Sequence, residues 1–259
     1  MDSGKGNNNG LEYTGERMIP GKADEENYFE HLARYMFAKP LVKGSRTLDA
    51  GCGEGYGSAI LAQSASEVLS IDISPDTIES ASGKYIAPNL KYIVMDVENI
   101  NIDPGTFDAV VCFEVFEHIK HPENMLFGIK NILKAGGVLI ISTPNGALPK
   151  SGKPNPFHVK EYTLQEFSEI LTIHFPESPY VYGRYGQFNL RRRSGVAAQA
   201  MQGWMKLKRK FGIGKIMPGS VNKRLKDTKT GPYSVDDFAF REQNIEEAEY
   251  FVFVIRGKR

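Results

Sequence analysis

The stretch "CFEVFEHIKHPENM", residues 112–125, sets three carboxylates and two imidazoles close together, among them Glu114, Glu117, His118 and His121. A further imidazole, His158, stands in "NPFHVKEYT", residues 155–163. Imidazole titrates near neutrality, so a histidine held against a substrate hydroxyl can take its proton. Glu114, His118 and His158 are the candidates for that work. Packed polar residues in a loop are the competing account.

A second group of residues has the character of a ligand cradle. In "TLDAGCGEGYGSAI", residues 47–60, glycines alternate after a short strand-like run. A dinucleotide turn needs glycines at i, i+2 and i+5. From Gly51, Gly53 and Gly55 the last position is Tyr56, Ser58 and Ile60, so every register fails. What remains is an acid followed by alternating glycines: Asp49, Gly51, Gly53, Gly55. Missing side chains let a ligand approach the backbone. A carboxylate at the strand end suits a cationic amine and opposes a pyrophosphate. Asp72 in "SIDIS" and Asp96 in "YIVMDVEN" close the next two strand-like runs. A carboxylate at the first can accept both hydroxyls of a ribose. The second can accept from an adenine amine while Val97 offers its backbone N–H. Three acids at three successive strand ends describe a nucleoside with an amino-acid tail.

The elements that must position these groups alternate. Strand-like runs at "RTLDA", "EVLSIDI", "LKYIVMD", "FDAVVCFEV" and "GVLIIST" are separated by helical stretches. In "HPENMLFGIKNILKAGG", Met125, Ile129, Ile132 and Leu133 share one face, and Gly136 and Gly137 are the expected stop. Repeated β-α units imply a parallel sheet covered by helices on both faces. A helix at "TLQEFSEILT" and strands at "SPYVYGRY" and "AEYFVFVIRG" follow. In such sheets ligands sit beyond the carboxyl ends of the strands, where the motifs above fall.

Residues 40–145 resemble the class I S-adenosylmethionine-dependent methyltransferases, with "LDAGCGEG", "SIDIS", "MDVEN", "FDAVVCFEVFEHI" and "LKAGGVLIISTPN" in the family's order. The resemblance implies an α/β, Rossmann-like sheet of seven strands, six parallel and the last antiparallel. It places Asp49, Gly51, Gly53 and Gly55 at the methionine end of S-adenosylmethionine, with Ala50 and Tyr56 also binding the cofactor. Asp72 would meet the ribose and Asp96 and Val97 the adenine, with Ile73 and Phe113 also binding the cofactor. S-adenosylhomocysteine would be the product. The Glu-x-x-Glu-His pattern with a later histidine also resembles the metal-assisted sites of small-RNA 2′-O-methyltransferases, and partly those of ubiquinone-pathway O-methyltransferases. Carried over, Glu114, Glu117, His118 and His158 would ligate a divalent ion. The phrase "GERMIPG" resembles the start of bacterial methyltransferases of surface-sugar or glycan assembly.

The length, 259 residues, accommodates one large domain, and 41% hydrophobic with 24% charged residues is ordinary for a globular chain. The expected organisation is a disordered leader over 1–10 and one methyltransferase domain over 11–259. That domain has its core at 40–185 and 247–259, an N-terminal lid at 11–39 and a basic insertion at 186–246. The lid helix is expected from about Glu25, with Tyr28, His31 and Tyr35 on one face. Cys52 and Cys112 lack metal-ligand spacing, so a reduced cytoplasmic protein is expected. The net charge of +1 hides an asymmetry, since residues 188–226 hold eleven Lys and Arg and no acid. Within them Val196, Ala200, Trp204, Leu207 and Phe211 share one helical face, opposite Lys206, Arg209 and Lys210. Such a helix suits an anionic membrane surface at the inner face, a phosphate-bearing partner, or simply solvent. The expected reaction is O-methylation of a sugar, glycan or lipid-linked acceptor. The alternatives are a quinone-type or phenolic small molecule, an RNA 2′-hydroxyl, and a catalytically silent S-adenosylmethionine-binding protein.

Overall fold

A computed structural model describes residues 25–148, 155–177, 179–184 and 240–257. The leader, residues 11–24 of the lid and the basic segment 191–226 lie outside them. Among the described residues, eight strands form one sheet in the order β3-β2-β1-β4-β5-β8-β6-β7. They are β1 Arg46–Ala50, β2 Glu67–Asp72, β3 Leu90–Val94, β4 Phe107–Phe113, β5 Leu133–Pro144, β6 Tyr180–Arg184, β7 Phe240–Arg241 and β8 Tyr250–Arg256. β1 to β5 pair in parallel, and β8 inserts antiparallel between β5 and β6, with Val252 opposite both Ser142 and Tyr182. Six parallel strands and one antiparallel strand are the expected arrangement. The two-residue β7 is an addition at the edge, pairing antiparallel with β6.

The central strands read as continuous apolar runs because both faces are covered. Helices α1 (Glu25–Leu41) and α2 (Tyr56–Leu61) lie on one side. There Phe29, Leu32, Ile60 and Leu61 pack on Val111, Ile140 and Val252. Helices α4 (Pro122–Ile132) and α5 (Leu164–His174) cover the other. Met125, Leu126, Ile129 and Phe167 meet Val110, Cys112, Ile141 and Phe253. Helix α3 (Pro75–Lys84) joins β2 to β3 and is capped by Ser74, whose side chain accepts from the Thr77 N–H. Both cysteines are buried and unbridged. Among the described residues no helix is long and apolar enough to cross a membrane.

One boundary differs from expectation. Helix α4 stops at Ile132, and Leu133 already pairs with Phe107 in the sheet. The pairing then slips, Ala109 facing Val138, so residues 134–137 bulge out of β5 with Gly136 at φ 74°. The glycine pair therefore serves a strand irregularity rather than the helix stop.

At the carboxyl edge of the sheet, β1 ends in a turn whose Gly51 and Cys52 N–H groups both donate to the Ile71 carbonyl at 2.9 Å. Gly51 and Gly55 take φ of 77° and 79°, a region that strains any residue with a Cβ. Two residues on, α1 crosses α2 so closely that a Cβ on Gly57 would lie 2.1 Å from the Tyr35 ring. That contact seats α1 over the glycine turn.

Candidate active site

A cavity of about 600 Å³ opens at this edge, floored by the strand ends and roofed by α1. Gly51, Gly53 and Tyr56 line it from the turn, and Asp72, Ile73, Asp96 and Val97 from the ends of β2 and β3. Phe113 at the end of β4 and Glu114, Glu117 and His118 just after it also line the cavity, and His158 meets His118 there. The backbone N–H groups of Gly53 and Ser74 each donate to one Asp72 oxygen at 3.0 Å. They fix the carboxylate while leaving lone pairs directed at a ligand. Asp96 is fixed similarly, accepting from the Glu98 N–H at 2.9 Å.

Three expected cofactor residues stand apart from the cavity lining. Asp49 and Ala50 are fully buried. Asp49 accepts from the Ser58 hydroxyl at 2.6 Å and the Tyr35 hydroxyl at 3.3 Å. Burial, reinforced by the nearby Asp72 charge, pushes its carboxyl up to about 7 against those two hydrogen bonds. Each Asp49 oxygen thus accepts a hydrogen bond from a protein hydroxyl. Gly55 sits behind the turn, where a Cβ would meet Ala81 and the Tyr92 hydroxyl. His121 also departs from the cluster. As the residue before α4 it is largely exposed, 3.5 Å from Glu123.

Glu114 follows the last residue of β4 at φ 54°, strained for a side-chain-bearing residue. It is held there by the Arg34 guanidinium at 3.1 Å and by the Ser142 hydroxyl, which donates to it at 2.6 Å. The same Arg34 nitrogen pairs with Glu30 at 3.0 Å, and the guanidinium lies over the Tyr250 ring, 4.3 Å from its centroid. Burial opposes the charge on Arg34, but Glu114 and Glu30 outweigh it and hold the group protonated. Burial likewise raises Glu114, with Arg34 and Ser142 opposing the shift. Two carboxylates on one guanidinium tie Glu114 to α1.

Glu117, His118 and His158 do come together. Phe116–His118 form one 3-10 turn, and the Glu117 carbonyl accepts from the Val159 and Lys160 N–H groups at 2.8 and 3.2 Å. Those bonds hold the 155–162 loop so that the His118 and His158 rings meet edge to face, centroids 4.9 Å apart. One oxygen, one nitrogen and one nitrogen from the three residues lie within 4.8 Å of one another. Burial first, and Glu114 second, raise the Glu117 carboxyl well above its ordinary range.

Arg34, Glu30, Glu98 and Asn155 all line the cavity without having been singled out from the sequence. A signal existed for the first two: an i, i+4 acid–base pair set among Phe29, Leu32 and Ala33, all buried. Glu98 accepts from the Lys120 and His121 N–H groups at 3.3 and 3.2 Å, a long-range bond with no local sequence signature.

Residues 48–141 match the family model described as "Methyltransferase domain". A Mycolicibacterium smegmatis protein described as "Probable S-adenosylmethionine-dependent methyltransferase" is 32% identical over 165 residues, covering 62% of this chain and 63% of that protein. A "Ubiquinone biosynthesis O-methyltransferase" of Xanthomonas campestris is 35% identical over 114 residues, 43% of this chain and 48% of that one. The chain thus spans at most 63% of the length of these curated relatives. A solved SAM-dependent methyltransferase from Thermotoga maritima superposes with a TM-score of 0.60 at 14% identity, covering 89% and 91% of the two chains. The [4+2]-cyclase SpnF superposes at 0.56 with 17% identity, covering 92% and 85%, and shares the fold alone. The matched domain, these relatives and the 3-2-1-4-5 strand order continued by an antiparallel insertion together support a class I S-adenosylmethionine-dependent methyltransferase.

Proposed function

We propose that this protein transfers a methyl group from S-adenosylmethionine to a hydroxyl of a sugar, glycan or lipid-linked acceptor. The observation that carries the reading is one continuous cavity joining the glycine turn and strand-end acids to the His118–His158 pair. The donor set fits the cofactor. Asp72 and Asp96 offer fixed acceptors for hydroxyls and an amine. Among the acids that line the cavity, Asp72 and Asp96 suit a ligand carrying sulfonium and ammonium charges.

When bound, S-adenosylmethionine supplies a methyl group already activated on sulfonium, which the acceptor oxygen takes as the S–C electron pair returns to sulfur. The protein then has two tasks: holding the acceptor in line and receiving its proton. His118 donates from Nδ1 to the Phe157 carbonyl at 3.0 Å, which turns Nε2 toward the cavity as a proton acceptor. His158 is oriented by Glu161, whose Oε1 lies 2.7 Å from Nδ1. Its Nε2 accepts from the Asn155 amide at 2.9 Å. A second reading, a phenolic or quinone-type acceptor, draws on the ubiquinone-pathway relative.

The test is a labelled-methyl screen over lipid, glycan, phenolic and RNA fractions, scored by S-adenosylhomocysteine formation. The cofactor part has its own readout. Asp72→Ala should weaken S-adenosylmethionine binding by about 1–3 kcal/mol through lost charge-assisted hydrogen bonds. Unchanged affinity in the folded variant removes Asp72 from the site. Cofactor binding without product in any fraction leaves a silent binder.

A further inference from the structure

We propose that Glu98 is a positioning residue that ties the adenine end of the cavity to the turn carrying His118, so that filling one end sets the histidine at the other. Its bearing on catalysis rests on the hydroxyl-methylation reading above; the mechanical link does not.

After β3 the chain turns on Asp96. The Asp96 carboxylate accepts from the Glu98 N–H at 2.9 Å, and the Asp96 carbonyl accepts from the Asn99 N–H at 3.0 Å. A side chain that bonds its own backbone two residues on holds such a turn together. The backbone of Glu98 is thereby fixed to the carboxylate offered to an adenine amine. Its side chain crosses to another element. One oxygen accepts from the Lys120 N–H at 3.3 Å and the other from the His121 N–H at 3.2 Å, 22 and 23 residues away.

Those two residues lie between the Phe116–His118 turn and α4. The turn closes on itself, the His118 N–H donating to the Val115 carbonyl at 3.0 Å and the Ile119 N–H to Phe116 at 3.4 Å. Lys120 and His121 come just past its last bond, so Glu98 decides where the chain leaves the turn. From the other side the Phe157 carbonyl holds His118 Nδ1 at 3.0 Å. The histidine is thus fixed between the 155–162 loop and Glu98, and both it and Glu98 line the cavity. Val97 and Ile100 pack into the same apolar cluster as buried Ile119, so movement of the 96–99 turn is transmitted rather than absorbed.

The bond lengths leave room for that movement. Charge-assisted hydrogen bonds settle at roughly 2.7–2.9 Å, so both Glu98 bonds are long by about 0.3–0.6 Å. A purine amine donating to Asp96 orders the turn that carries Glu98, and its carboxylate can then close on Lys120 and His121. By linkage the effect is reciprocal: a fixed His118 turn favours purine binding by the same factor. The consequence for methyl transfer is that a cofactor-loaded protein has its proton acceptor placed before the acceptor hydroxyl arrives.

The test titrates the full chain with adenosine, which has the purine and ribose but no methyl group to transfer. It reads the His118 ring signal by NMR and hydrogen exchange at the Lys120 and His121 amides. In wild type the ring signal should move on saturation, and exchange at both amides should slow by about 5-fold or more. Glu98→Ala keeps Asp96 and the N–H of residue 98, so adenosine should bind within about threefold of wild type while both responses vanish. Glu98→Gln retains one acceptor oxygen and should restore part of them, which a merely structural role would not produce. Exchange in β1 and β4 reports that the fold survives. If the alanine variant does not fold, the Gln variant decides, and a full wild-type response in it overturns the link. Adenosine that binds wild type without moving His118 or either amide also overturns it. Lost adenosine binding in Glu98→Ala with unchanged exchange at Lys120 and His121 overturns it in favour of direct contact between Glu98 and the ligand. An intact response with no S-adenosylhomocysteine formed from any fraction overturns the methyl-transfer reading and leaves the coupling standing.

Discussion

Asp49 carries a pH dependence that can be worked through from its surroundings. It is buried under the glycine turn and faced by Tyr35 from α1, Ser58 from α2, Cys52 from the turn and Asp72 from β2. Two hydroxyls donate to it, yet burial dominates and moves its carboxyl from 3.8 to about 7. A folded-state value above the unfolded one means the folded protein holds the proton longer as pH rises. The associated stability is complete below about pH 4, falls as pH rises from there to 7, and is absent above it. Each unit is worth about 1.4 kcal/mol, so the full span is on the order of 4 kcal/mol, and pH 5 to 8 covers about 3 kcal/mol of it. Asn at this position keeps the shape and can still bond both hydroxyls, but cannot ionise. Urea unfolding of wild type and Asp49→Asn, without cofactor, at pH 5 and pH 8 isolates the effect. The variant should gain roughly 3 kcal/mol relative to wild type between the two pH values. Parallel pH profiles for the two proteins would refute the argument, since they would mean that Asp49 titrates alike folded and unfolded.

Two further substitutions probe the roof and the turn. Arg34→Met leaves Glu30 and Glu114 without their shared cation and should cost about 3–5 kcal/mol in chemical unfolding. Adding Glu114→Gln should recover part of it, and a fully stable single variant would show that the network is not a buried ion cluster. Gly51→Ala sets a Cβ 2.3 Å from Val115 Cγ2 at φ 77°. It should lower stability by about 2–4 kcal/mol and weaken S-adenosylmethionine binding; unchanged calorimetric affinity would place the cofactor away from this turn.

Much of the sheet was legible from the sequence because β1, β2, β4 and β8 are short runs rich in apolar residues that end in, or are followed directly by, a glycine or an acid. The strand-end positions of Asp72 and Asp96 followed from the same pattern, since a βα unit delivers its last residue to the carboxyl edge of the sheet. The α4–β5 junction was misread because a glycine pair after an apolar face looks alike as a helix stop and as a bulge. Only the pairing of Leu133 with Phe107 distinguishes them.

For the site, sequence alone determined which residues were chemically capable and which strand ends would carry them. Tertiary structure decided how they divide. Glu114 and Glu117 are equivalent in the one-dimensional pattern, three residues apart beside the same histidine. They separate because α1, distant in sequence, delivers Arg34 to Glu114, while the loop after β5 delivers His158 to Glu117. Asp49 acquires its contacts in a similar way: Tyr35 and Ser58 arrive from two helices and donate to its oxygens. A local pattern names a residue's type and the end of the strand it occupies. Which partner reaches a buried carboxylate first depends on helix packing, here on α1 meeting α2 at Gly57, where no side chain intervenes.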